Sequence, residues 1–209
     1  MEQSSGAWAA TYAAFADAAG WYLDVVGRVG DRWEEPGLGV WTVLDLVGHT
    51  SRSLLTVETY LPRTADSAEI GSAFDYYVAA FGAVGADQEA VAQRGRDAGA
   101  ALGSDPVAAV AQIAARVLPL VERCTGDELL TTIGGGMRLI DYLRTRTFEL
   151  VVHTSDLCVA LGLPPQPPSS AARDALEIVS ELALASGSAG RLLLAATGRS
   201  GSGFSVLAD

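Results

Sequence analysis

The stretch Arg146-Thr147-Phe148-Glu149-Leu150-Val151-Val152-His153-Thr154-Ser155-Asp156-Leu157 decides how this 209-residue chain is read. It sits inside 139–161, a segment with neither proline nor glycine, closed by Gly162 and the prolines between 164 and 168. The composition predicts a long helix there. Within it Tyr142, Arg146, Glu149, His153 and Asp156 recur at spacings of three and four, so they share one helix face. Leu143, Phe148, Leu150, Val151, Val152, Leu157 and Val159 flank that stripe. A polar ribbon so narrow, bordered on both sides by apolar residues, fits the lining of an internal cleft better than a face turned to bulk water.

Working outward, further helices follow from periodicity and caps. Trp8, Tyr12, Phe15, Ala19, Tyr22 and Val26 recur every three or four residues and predict a helix over 8–28. The stretch 30–39, with Pro36 inside it, reads as a loop. Thr42 is a good N-cap with Asp45 at the third helical position, and Trp41 is placed to pack on Leu46 as a hydrophobic staple. That helix should run until Pro62 stops it. Helical pieces are expected over 74–82 and 88–102, and Asp105-Pro106 opens another long helix to about Cys124. Gly134-Gly135-Gly136 reads as a turn, and its spacing matches no phosphate or dinucleotide loop. A last helix is expected over 170–186, then an apolar run, a Gly-Arg-Ser-Gly-Ser-Gly turn and a short strand at Phe204-Ser205-Val206-Leu207. The fold expected is all-α, a four-helix bundle of up-down type over 1–168, with a C-terminal helix and a short truncated α/β tail over 169–209 packing on it.

Composition narrows the function. Fourteen basic and 25 acidic residues leave a net charge of −11, which argues against nucleic acid or an anionic membrane as partner. Every basic residue is an arginine; without lysine there is no Schiff-base amine and no Walker-type phosphate lysine. Two cysteines, Cys124 and Cys158, form neither a disulfide framework nor a cysteine zinc site, and read as small core residues. The amphipathic N-terminus is no signal peptide and no run is long enough to span a membrane, so a cytoplasmic location is expected.

The chain has only two histidines, His49 and His153, each on a predicted helix. Glu149 and His153 stand one turn apart on one helix, and His49 on another would supply a third ligand, leaving room for water, thiol or substrate on a divalent metal. The spacing also suits an ordinary i, i+4 surface pair with Arg146 adding a solvated salt bridge. On the second helix Asp45, His49, Arg52 and Thr56 share a face; Asp45 is either the capping partner of Thr42 or the acceptor for the second nitrogen of His49, and the two roles can coexist.

These same residues carry a resemblance. Val40-Trp41-Thr42-Val43-Leu44-Asp45-Leu46-Val47-Gly48-His49-Thr50 resembles the W-T-V-x-D-L-x-x-H segment of the mycothiol-dependent maleylpyruvate isomerase family. The stretch 146–157 resembles its R-x-x-E-x-x-x-H-x-x-D-L segment, in the same order. The resemblance implies a DinB-like four-helix bundle holding a divalent metal through His49, Glu149 and His153, most often zinc, with nickel, iron or manganese also suited to such ligands. It implies mycothiol, the small thiol of actinobacteria, as cosubstrate and a small electrophile as substrate, in an S-transferase or isomerase reaction. Arg146 and Arg52 are then candidates for holding the thiol, Arg146 and Asp156 for a catalytic role, with Arg146 alternatively placing Glu149 through a salt bridge. A noncatalytic ligand-binding or dimerising bundle and a metal-assisted hydrolase use the same ligands. Isomerase-type members carry a fuller C-terminal domain than the residues that follow 186 here, and pairing through an exposed helix face predicts a homodimer.

Overall fold

The computed structural model describes residues 2–84, 88–201 and 204–207. It divides into two compact units, Met1–Ala175 and Leu176–Asp209. The first unit is a bundle. Helix α1 (Glu2–Val26) buries the stripe expected of it, with Trp8, Phe15, Ala19, Tyr22 and Val26 turned inward and only Tyr12 half-exposed. The segment read as a loop at 30–39 contains a 3₁₀ turn (Arg32–Glu34) and strand β1 (Pro36–Leu38), which pairs antiparallel with β2 (Trp41–Thr42). Both strands are too short for periodicity to reveal.

Helix α2 (Val43–Tyr60) begins as Thr42 dictates: its hydroxyl accepts from the Asp45 amide and the Asp45 carboxylate accepts from the Thr42 amide, a complete capping box. Two shorter helices follow, α3 (Ala73–Val84) and α4 (Gln88–Ala100), then α5 (Pro106–Glu122), capped by Asp105. The glycine triplet belongs to a hairpin of β3 (Leu129–Thr132) and β4 (Gly135–Arg138) in register Leu130↔Met137. Glycine is needed at 136, where a Cβ would overlap the Ser67 carbonyl, because the chain after α2 runs along this hairpin.

Helix α6 (Leu139–Ala160) carries the quoted stretch. It packs on α1 and α2, and α5 closes the four-helix core against the same two helices. The rings of His49 and His153 meet at one end of the α2–α6 seam and those of Tyr60 and Tyr142 at the other, so the two helices run antiparallel. Leu46, Leu54, Val57, Leu143, Leu150 and Leu157 are fully buried and supply the apolar drive that holds the seam's polar groups together. Helix α4 lies on the outside of α2 and α3 on α6. No helix among the described residues is long and apolar enough to cross a membrane.

Helix α7 (Ser169–Ala185) crosses the division between the units. In the second unit the apolar run after 191 forms helix α8 (Ala189–Ala196). In place of a strand over 204–207, a single antiparallel bridge joins Thr197 to Ser205. Alanine and leucine over 192–196 propagate a helix well.

Candidate metal centre

His49 reaches the seam from the second turn of α2, and Glu149 and His153 from successive turns of α6. One ligand atom from each of the three lies within 4.8 Å of the other two. The imidazoles meet edge to face, centroids 4.9 Å apart. His153 Nε2 is 3.3 Å from Glu149 Oε2, and its Nδ1 is 3.1 Å from Asp156 Oδ2. A carboxylate only accepts, so each ring nitrogen faces its carboxylate as a donor; Nδ1 is turned to Asp156 and Nε2 to Glu149 and the centre. Asp156 thus orients His153, as outer carboxylates do for metal-binding histidines.

His49 is held differently. The Trp41 ring lies against its imidazole at 4.5 Å, tilted by 33°, and Trp41 Nε1 donates to the Ala92 carbonyl of α4 at 2.9 Å. Of the two roles open to Asp45, the structure takes the cap. His49 Nδ1 is buried and has no hydrogen-bond partner among the described residues. A buried polar nitrogen without a partner costs free energy unless something occupies it. Two imidazoles and one carboxylate, with a ring nitrogen of His49 left unpaired, fit a divalent cation.

The protonation states follow from the surroundings. Burial pushes His49 down to about 4, helped by the positive charges of His153, Arg52 and Arg94. Burial also opposes the His153 cation, but hydrogen bonds to Asp156 and Glu149 outweigh it and lift His153 to about 9. Burial would raise Glu149, yet the His153 hydrogen bond, the Arg146 charge and the Tyr77 hydroxyl bring it down to about 2. At neutral pH the centre therefore holds one neutral imidazole, one imidazolium and one carboxylate.

The sequence-derived candidates fall in different places. Arg146 does not form an ion pair with Glu149. Its Nε donates to Thr145 Oγ1 at 2.9 Å, and its guanidinium sits over the rings of Tyr142 and Tyr76, at 4.9 and 5.4 Å. It is a buried counter-charge that acts on Glu149 from inside a tyrosine cage. Arg52, three residues after His49, is half-buried. Thr56 lies farther down α2, its hydroxyl buried and without a partner. Burial raises the thiols of Cys158 and Cys124, so neither is an activated nucleophile.

Three residues that matter here were not legible as such. Trp41, expected at the start of α2 as a staple on Leu46, also lies against the ring of His49 as its platform. Tyr77 of α3 donates to Glu149 Oε1 at 2.7 Å. Arg94 of α4, half-buried like Arg52, acts on His49 across the α2–α4 contact. Neither Arg52 nor Arg94 forms a hydrogen bond or ion pair among the described residues. No local signal marks Tyr77 or Arg94, because both belong to short outer helices with weak patterns.

A family model, the mycothiol maleylpyruvate isomerase N-terminal domain, matches residues 31–158, which hold all three clustered residues. No curated protein and no solved structure matches the chain. The match covers more than half of the chain and includes both motif segments, and a helical bundle is the fold of that domain: the chain belongs to the mycothiol maleylpyruvate isomerase N-terminal domain family.

Proposed function

We propose that His49, Glu149 and His153 hold a divalent metal, zinc first among the candidates, and that the protein uses it for a mycothiol-dependent S-transfer or isomerisation of a small electrophile. The observation that carries this reading is the convergence of three ligand atoms within 4.8 Å from two helices of a mycothiol-family bundle. A metal held there supplies Lewis acidity, lowering the pKa of a thiol offered to its open side. The chain's own residues do the rest. Glu149 brings a full negative charge, Asp156 keeps the His153 ring in place, and Trp41 keeps solvent from one side of His49. The raised pKa values of Cys124 and Cys158 support an external thiol as nucleophile. Its sulfur forms a bond to an electrophilic carbon; either the leaving group departs with its bonding pair, or, in a cis enedioate, the π pair moves onto the conjugated carbonyl oxygen, the resulting single bond rotates, and the pair returns to re-form the double bond as the C–S bond breaks and the thiolate leaves.

Arg52 and Arg94 are the free cations of this neighbourhood, and we assign them an anionic group of the thiol or the electrophile. With Arg94→Met the KM for an anionic substrate should rise about tenfold with a smaller change in kcat, as expected for a lost charged hydrogen bond. An unchanged KM in steady-state kinetics removes Arg94 from the reading.

The experiment that tests the function is elemental analysis of tag-free protein, followed by turnover of 1-chloro-2,4-dinitrobenzene with and without mycothiol. One metal per chain and thiol-dependent turnover support it; no metal after reconstitution ends it. The pH dependence of metal binding has a fixed sign. Without metal His153 carries a proton up to about pH 9, whereas His49 is already neutral. Metal binding must displace that one proton, so between pH 6 and 8 the affinity should rise about tenfold per pH unit and level off above pH 9. Calorimetry in two buffers of different ionisation enthalpy counts the released proton directly.

A further inference from the structure

We infer that Tyr77 is a positioning residue of the metal centre: its hydroxyl claims one oxygen of Glu149 and thereby leaves the other for the metal. The inference rests on the metal reading above and adds how the carboxylate binds. Tyr77 comes from α3, outside the four bundle helices, and is buried. Its ring is wedged edge to face against Phe148 and Tyr76, at 5.2 and 5.6 Å. Its hydroxyl lies 2.7 Å from Glu149 Oε1 and 3.1 Å from the Thr145 carbonyl. Glu149 Oε2 is the oxygen that faces His153.

The two oxygens are therefore not equivalent. A carboxylate free to rotate presents either oxygen, or both, to a cation. Here the phenol donor occupies Oε1 from a ring locked by aromatic neighbours, so only Oε2 is presented and Glu149 acts as a one-oxygen ligand. A single-oxygen carboxylate leaves more of the coordination sphere open than a bidentate one, which a thiol-dependent reaction needs. The neighbouring residue reinforces the arrangement, since Tyr76 covers the Arg146 guanidinium while Tyr77 binds Glu149. Helix α3 thus holds two consecutive residues of the α6 stripe's outer support, and loss of such a partner costs about 10–100-fold in metal affinity.

The test compares wild type with Tyr77→Phe, which keeps the ring and removes the donor. Zinc affinity is measured by competition with a chromogenic chelator, and the cobalt(II) form by its visible spectrum. Expected are a zinc Kd raised about tenfold or more and weaker, shifted cobalt d–d bands as Glu149 binds through both oxygens, with the far-ultraviolet circular dichroism unchanged. A folded Tyr77→Phe protein with the wild-type Kd and spectrum overturns the inference while leaving the metal reading intact. Wild type that binds neither ion overturns the metal reading and this inference with it. Should Tyr77→Phe not fold, 3-fluorotyrosine at 77, which keeps the hydroxyl and alters its donor strength, decides: a shifted cobalt spectrum supports the role and an unchanged one overturns it.

Discussion

His153→Ala is expected to lose the metal and the thiol-dependent turnover together, and to unfold more easily even without metal. Two effects add. One of three proposed ligands disappears, which should weaken metal binding by more than the roughly 100-fold that a lost outer partner costs. The second effect concerns the carboxylates left behind. Glu149 Oε2 and Asp156 Oδ2 both point at the His153 ring, and removing it leaves two negative groups facing each other across a largely buried space. Breaking a buried pair by deleting one partner costs about 3–5 kcal/mol. Tyr77 and the charge of Arg146 still support Glu149, which places the expected loss near the lower figure. Elemental analysis and thermal unfolding, with and without added zinc, check both parts. Full metal content in His153→Ala would sink the proposed ligand set, and an unchanged midpoint without metal would sink the electrostatic argument.

The second large effect is expected at a residue without a side chain, Gly48. There α2 and α4 cross so closely that a Cβ on Gly48 would overlap the backbone nitrogen and Cα of Gly99 and the carbonyl carbon of Ala98. A side chain in the way can turn aside, but helix backbone cannot, so Gly48→Ala must push α4 off α2. Overpacking of this kind costs about 1–3 kcal/mol, and with backbone as the obstacle the upper figure is expected. For a chain of this size that is a midpoint about 10 °C lower. The damage reaches the metal centre as well. Gly48 precedes His49, and α4 accepts the Trp41 hydrogen bond through Ala92 and presents Gly95 to the Trp41 ring, where a Cβ would also overlap. Zinc affinity should fall with the stability. Gly20→Ala is the control: nothing lies within 4 Å of a Cβ there, and in the middle of α1 the change should be neutral or stabilising by up to about 1 kcal/mol. Urea unfolding of the two variants separates the cases, and a Gly48→Ala midpoint equal to wild type would refute the crossing argument.

Much of this was legible along the chain because it is local. The α2 start is written in Thr42 and Asp45, which satisfy each other three residues apart. The α6 stripe is written in spacings of three and four, and the last turn before Gly162 in the glycine and prolines that end it. The hairpin of β3 and β4 was not legible. Its four-residue strands alternate weakly, and the requirement for glycine at 136 comes from Ser67, which is remote in sequence. The helix over 189–196 was not legible for a related reason: apart from Arg191, its eight residues are apolar or small and carry no period that separates helix from strand.

By itself the sequence determined that the protein is a helical bundle, which helix faces are apolar, and that its two histidines and Glu149 stand where helices can present them to one another. Those are properties of periodicity and capping, set by the geometry of one helix at a time. Only the tertiary structure decided that Asp45 serves the cap and leaves His49 to Trp41, that Arg146 is sheathed by tyrosines without pairing to Glu149, and that Tyr77 and Arg94 belong to the neighbourhood of the centre at all. Each of these depends on which helices touch and at what distance. That is settled by burying the apolar faces of α1, α2, α5 and α6 together and by the close passage of α4 over Gly48, energies that no single segment contains.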